Sequence, residues 1–154
     1  MNKLFMVLGV LFLTTYSYAA LASPTSCSGK WYACHNAFTP HEGQNLSTFG
    51  SSNQISEWGG YDFPFGFNVS LNQVKIYAVT SKYFPLGSVW LQASNNNGLT
   101  YGPWHKVPTT GSSAYIVDVT NDFSWNTGNV EHIKVKAFCA SSSCAIDWLP
   151  VYAS

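Results

Sequence analysis

Four histidines, seven carboxylates and four cysteines are the residues of this 154-residue chain with obvious chemistry. His41-Glu42 together with His105 offers an imidazole and carboxylate set of the kind a small hydrolase uses to move protons. No nucleophile elbow, phosphate loop or metalloprotease helix accompanies them, so catalysis is the third-ranked reading. His35, His41, His105 and His132 lack a His-x-x-x-His spacing, which leaves them without a zinc pattern. Glu57, Asp62, Asp118, Asp122 and Asp147 are scattered, and no acidic loop of calcium type gathers them.

The cysteines are Cys27, Cys34, Cys139 and Cys144, an even set. Six residues separate the first two and four the second two, which fits zinc ribbons poorly. Cys34-His35 looks like the end of a haem-attachment motif, but the preceding cysteine lies too far upstream. In an exported chain two disulfides are the default. Local pairing, Cys27 with Cys34 and Cys139 with Cys144, is preferred over a crossed pairing that would tie the first strand to the last.

Export itself is read from the start of the chain. Met1-Asn2-Lys3 is basic, residues 4–13 are apolar, and Ala20-Leu21-Ala22 is a small-x-small cleavage pattern. The expectation is a signal peptide over 1–22, with cleavage after Ala19 as second choice, and one domain over 23–154. The protein is then secreted or extracellular, or periplasmic in a Gram-negative cell. No other segment is long and apolar enough for a membrane span.

Charge excludes one large class of partner. The chain has no arginine, and removal of Lys3 leaves six lysines against seven acids. A nucleic-acid binder needs a basic footprint, so that partner is not expected. Charged residues are 9% of the chain and aromatic residues 16%, which points to a surface of Ser, Thr, Asn, Gly and Tyr. Such a surface suits neutral polar ligands or self-association.

Aromatic rings and amides are the groups left to make a site. A tryptophan face packs on the C–H face of a pyranose, while amides and carboxylates bond its hydroxyls. Trp31, Trp58, Trp90, Trp104, Trp125 and Trp148 are therefore candidates, with Trp90 and Trp148 read as structural because they sit mid-strand. Asn96, Tyr101, Trp104 and Trp125 are the predicted ligand-binding residues, at a hairpin tip and in a loop. Asn95, Asn96 and Asn97 serve equally well as turn residues that tolerate positive φ.

The elements that must position these groups are short strands. The run VWLQASNNNGLTYGPWHKV at 89–107 alternates Val89, Leu91 and Ala93 with Trp90 and Gln92, breaks at an Asn/Gly cluster, and resumes at Tyr101. It predicts a β-hairpin. Further strands are expected at 31–34, 55–58, 62–67, 73–80, 114–119, 132–138 and 145–152, with 88–94 and 101–107 forming the hairpin. Val74, Ile76 and Ala78 should share one buried face, as should Ile133, Val135 and Ala137, with His132, Lys134 and Lys136 turned to water. Pro150 should end the last strand or mark an edge. Strands broken every eight to twelve residues by Gly, Asn, Ser and Pro predict an all-β fold, a single β-sandwich.

Three patches resemble the galactose-binding-like β-jelly-roll of discoidin domains and many carbohydrate-binding modules. Ile55-Ser56-Glu57-Trp58 with Tyr61-Asp62-Phe63 looks like the opening strand pair. The run from Ser94 to Tyr101 resembles the discoidin hairpin S-x-D-G-x-x-W, and also the sialidase Asp-box with Asn96 for Asp and Tyr101 for Trp. The run from Ala145 to Val151 resembles the closing strand, where an Asp, here Asp147, can hold structural calcium. The resemblance implies a jelly-roll and a non-catalytic module whose partner is a glycan or cell-surface polysaccharide. Apart from that possible calcium no cofactor is expected.

The rival reading is a structural or adhesive surface protein, an extracellular filament subunit, with residues 23–48 as a donated strand. Asn45-Leu46-Ser47 and Asn68-Val69-Ser70 match the N-glycosylation pattern, used only where the host glycosylates.

Overall fold

The computed structural model describes residues 19–41, 46–64, 71–81, 83–108, 114–125 and 132–154. Among these the strands are β1 (Ala20–Ala22), β2 (Ser26–Gly29), β3 (Thr48–Ser51), β4 (Ile55–Gly59), β5 (Val74–Val79), β6 (Val89–Ser94), β7 (His105–Lys106), β8 (Ala114–Asp118), β9 (Lys134–Cys139), β10 (Ser143–Ile146) and β11 (Val151–Ala153). They form a five-stranded sheet ordered β2-β4-β9-β6-β7, a four-stranded sheet β1-β11-β5-β8, and a two-stranded sheet β10-β3. All pairs are antiparallel. The chain is an all-β jelly-roll sandwich.

Alternation builds both large sheets. Along β5 the residues Val74, Ile76 and Ala78 are buried while those between are half-buried, and β9 buries Val135, Ala137 and Cys139 in the same rhythm. Leu91 and Ala93 of β6 join them from one sheet, and Val151, Ala153 and Val117 from the other, in one core cluster. That shared cluster is what makes two sheets a sandwich.

Two expected strands are corrected. Residues 31–34 hold only an isolated bridge at Tyr32, because Ala33 turns left-handed at φ 52° and the chain enters a 3₁₀ helix over Cys34–Phe38. Among the described residues of 62–67, Asp62, Phe63 and Pro64 are not in a strand. The single strand expected over 145–152 is two. Trp148 donates its backbone N–H to the Val79 carbonyl outside any strand, and β11 resumes only after Pro150. Neither β1, β2 nor β3 was expected from the sequence, and β2 already pairs with β4 of the same chain, which engages part of the segment proposed as a donated strand.

The disulfides are the local pair. Cys27–Cys34 ties β2 to the 3₁₀ helix, and Cys139–Cys144 ties β9 to β10, with Cα separations of 6.1 and 5.8 Å. Around the first of them sits a tryptophan pair. Trp31 and Trp58 meet edge to face with ring centroids 5.8 Å apart, and both are buried. Their indole N–H groups donate to the carbonyls of Gln54 and Cys34, so neither ring leaves a polar atom unmet.

Trp31 fits because position 50 carries no side chain. A Cβ on Gly50 would lie 2.4 Å from the indole, inside any real contact distance. Gly50→Ala is therefore expected to cost about 1–3 kcal/mol through displaced packing, read as a lower denaturation midpoint. A midpoint unchanged from wild type would show that Trp31 moves without penalty.

The expected boundary after Ala22 falls at the end of β1, and the second choice after Ala19 falls just before it. β1 sets Ala20, Leu21 and Ala22 opposite Ala153, Tyr152 and Val151, with Ala22 in the core. A chain starting at Ser23 should consequently be less stable than one starting at Ala20, by about 1–2 kcal/mol for a lost short strand pairing. Paired thermal melts of the two forms check this, and equal midpoints would make β1 dispensable.

Candidate binding face on the five-stranded sheet

Because β4, β9 and β6 bury one face, the pleat turns the other outward, and cross-strand register decides what meets there. Ile55 lies opposite Phe138, Phe138 opposite Trp90, and Trp90 opposite Lys106. Two residues along the same strands comes a second row, in which Glu57 lies opposite Lys136 and Lys136 opposite Gln92. The first row is apolar until its last member. The second is polar throughout.

Ile55, Trp90, Trp104 and Phe138 line an open trough of about 330 Å³. Trp104 reaches it from the return limb of the hairpin, its ring 6.0 Å from that of Phe138 and tilted by 56°. Trp104 and Ile55 are each 38% exposed, so water meets the trough directly.

The hairpin places Trp104 by closing its turn with side chains. The Ser94 hydroxyl accepts from the backbone N–H groups of Asn96 and Gly98 and donates to the Asn96 side-chain oxygen. That oxygen also accepts from the Thr100 N–H, and the Asn96 amide nitrogen donates to the Thr100 hydroxyl. Asn97 and Gly98 take the positive φ values, 61° and 83°, as their residue types allow. Gly98 must also be small, because a Cβ there would press on Lys134, Tyr101 and Glu57 at 3.2–3.4 Å.

Tyr101 follows the turn and is pinned on two sides. Its hydroxyl donates to Glu57 in a short hydrogen bond, and Lys136 rests its ammonium 4.1 Å from the ring centroid. Lys134 donates to the other Glu57 oxygen at 3.0 Å. Burial, and then the hydrogen bond and charge of Glu57, push the Tyr101 phenol far above its usual range, which keeps it protonated. Burial raises the Glu57 carboxyl, but the hydrogen bonds from Tyr101 and Lys134 and the charges of Lys134 and Lys136 outweigh it and hold the group low.

Of the predicted residues, Tyr101 and Trp104 share this face. Asn96 is taken up by its own turn. Trp125 is a correction: it is only 4% exposed, it stacks edge-on against Phe123, and its N–H donates to the Val119 and Thr120 carbonyls. Its side chain points in rather than out. Trp148 is held by Ser23, as a structural residue would be. Asp147 is buried and accepts from the His41 backbone N–H, which is structural use of the carboxylate proposed for calcium. Glu42 and both sequon asparagines, Asn45 and Asn68, lie outside the described residues. His105 is paired instead with Asp122, Nε2 to Oδ2 at 2.7 Å.

Trp90, read as structural from its mid-strand position, lines the trough instead, and Phe138, Ile55, Glu57 and Lys136 were not singled out for this site. The signal was present. Phe138 continues the water-facing series of Lys134 and Lys136, and Trp90 sits on the polar side of the alternation in β6. An aromatic residue on the solvent half of an alternating strand is a better marker than one in a loop.

A carboxyl held low in the folded state adds stability above its unfolded pKa, and this is lost as pH falls through the folded value. Glu57 does so, and Asp118, held low mainly by hydrogen bonds from Thr120, has the same sign. Thermal stability should therefore decline on acidification below about pH 4, where carboxylates begin to protonate. Glu57→Gln should lower stability at neutral pH and flatten the acid limb. An acid limb identical to wild type would rule Glu57 out as a contributor.

No family model and no curated protein matches the chain. Among solved structures, a fucose-binding module from Streptococcus pneumoniae superposes with a TM-score of 0.56 at 9% identity, over 84% of this chain and 94% of that one. An F5/8 type C domain from Bacteroides fragilis gives 0.46 at 11%, over 85% and 95%. The likeness is one of fold, a β-jelly-roll sandwich.

Proposed function

We propose that this protein is a secreted, non-catalytic module that binds carbohydrate through the outer face of its five-stranded sheet. The open trough of Ile55, Trp90, Trp104 and Phe138 carries the reading. Flat rings at 6 Å spacing offer stacking area, and the adjoining row supplies donors and acceptors for hydroxyls. Those polar groups are fixed by one another, through Tyr101 to Glu57 and Lys134 to Glu57, so little entropy is lost when a ligand arrives. The fold shared with a fucose-binding module supports the same reading, as do two disulfides for export to an oxidising compartment.

Binding to a panel of insoluble polysaccharides tests it. Trp104→Ala should weaken binding by about tenfold or more, equivalent to about 1.4 kcal/mol. Leu99→Ala, which removes an 84% exposed side chain at the hairpin tip, should leave it unchanged. Retention of full affinity in both Trp104→Ala and Trp90→Ala, or no affinity in the wild type, would end the proposal.

A further inference from the structure

The trough is apolar, but its border is not electrically neutral. Lys106 stands opposite Trp90, Lys136 lies two residues from Phe138, and Lys134 lies two further along the same strand. Against these three ammonium groups the strands of this face set one carboxylate, Glu57. That carboxylate is already engaged by Lys134 and by the Tyr101 hydroxyl. Among the described residues no carboxylate forms an ion pair with Lys106 or Lys136.

The excess is local. The whole chain is formally neutral, and the outer face of the opposite sheet sets Lys75 directly across from Asp118. Of the other acids on described segments, Asp147 is buried, Asp122 is paired with His105, and Asp62 is exposed beyond the end of β4. Seven lysines are few, and two of them, Lys106 and Lys136, sit next to the rings. Lys106 is directly opposite Trp90, at about 5 Å between side chains, and Lys136 is diagonal to it, at about 7–8 Å, on the strand at its other side. A sugar stacked on that ring would present its substituents to both.

We propose that the ligand of this face is an acidic glycan, whose ring stacks on the Trp90–Trp104–Phe138 trough while its carboxylate or sulfate is met by Lys106 and Lys136. This rests on the carbohydrate reading and narrows its ligand class. It also departs from the neutral partner that the charge-poor composition points to, because the few charges present are unevenly placed. Glu57 acts as a positioning residue: by holding Tyr101 it fixes the ring on which Lys136 rests.

The test uses the full secreted chain with polygalacturonate, dextran sulfate, neutral dextran, neutral galactan and polyglutamate. At low salt either acidic polysaccharide should bind at least about tenfold tighter than the neutral ones. The gap should close in 0.5 M sodium chloride, where the screening length falls to a few ångströms. Lys106→Gln, at an exposed edge position, should weaken acidic binding about two- to fivefold, the scale of one exposed ion pair. Lys106→Gln with Lys136→Gln should abolish the preference, read as the ratio of acidic to neutral affinity. Which acidic polymer binds tighter identifies the anion as carboxylate or sulfate, and either supports the proposal. Equal affinity for neutral and acidic polymers, or a preference untouched by the double variant, overturns it and leaves carbohydrate binding standing. Binding to polyglutamate as tight as to either acidic polysaccharide and indifferent to Trp104→Ala overturns both readings.

Discussion

The candidate site depends on the register of β6, β9 and β4. Side chains alternate with a period of two, so a slip of one residue would send Leu91 to water and Trp90 to the core. What forbids the slip is the buried row: Trp58, Val135, Ala137, Leu91 and Ala93 fill the space between the sheets and have no comparable place outside it. The apolar trough is thus the reverse side of core packing. Ile55, Phe138 and Trp90 are aligned across three strands because Ser56, Ala137 and Leu91 are.

Register alone leaves the trough without Trp104 or Tyr101, which come from the return limb. That limb has little ladder of its own, since β7 is only His105–Lys106. Its position is supplied by three other attachments. The Ser94–Asn96–Thr100 side-chain bonds close the turn, the Gln92 amide donates to the Gly102 carbonyl, and the Gly102 N–H donates to Ala93. Glu57 then anchors Tyr101 from β4, three places from β7 in the sheet. A short edge strand is also a poor template for pairing with a neighbouring chain.

How much of this was legible follows from where the sequence has contrast. β5, β6 and β9 were readable because each buries one face, and the hairpin because Asn97 and Gly98 supply left-handed residues at its turn. β2, with sequence SCSG, has almost no buried side chain and so carries no period. At 31–34 the apolar Trp31 imitated a strand, but its burial comes from packing on Trp58 and Gly50, which are remote in sequence. Trp125 is read as a binding residue because it lies in a loop, where sandwich modules place their sites. Loop position says nothing about whether an indole folds inward onto Phe123. The local disulfides were favoured by spacing, and the pairing of Glu57 with Tyr101, 44 residues apart, had no sequence signal at all.

In a chain with so little charge, one carboxylate can organise a surface. Glu57 is half-buried, so isolation would cost it solvation, and Tyr101 and Lys134 offset that cost with hydrogen bonds. The same bonds keep the Tyr101 phenol a donor far into alkaline solution, so its ring stays where Lys136 can rest on it. Lys134 is consumed in the process, while Lys136 is held by a π face, which does not cancel its charge. Had a second carboxylate taken the place of that ring, Lys136 too would be neutralised and only Lys106 would keep its charge beside the trough. An aromatic partner instead of an acidic one is therefore what lets this surface be both rigid and positive.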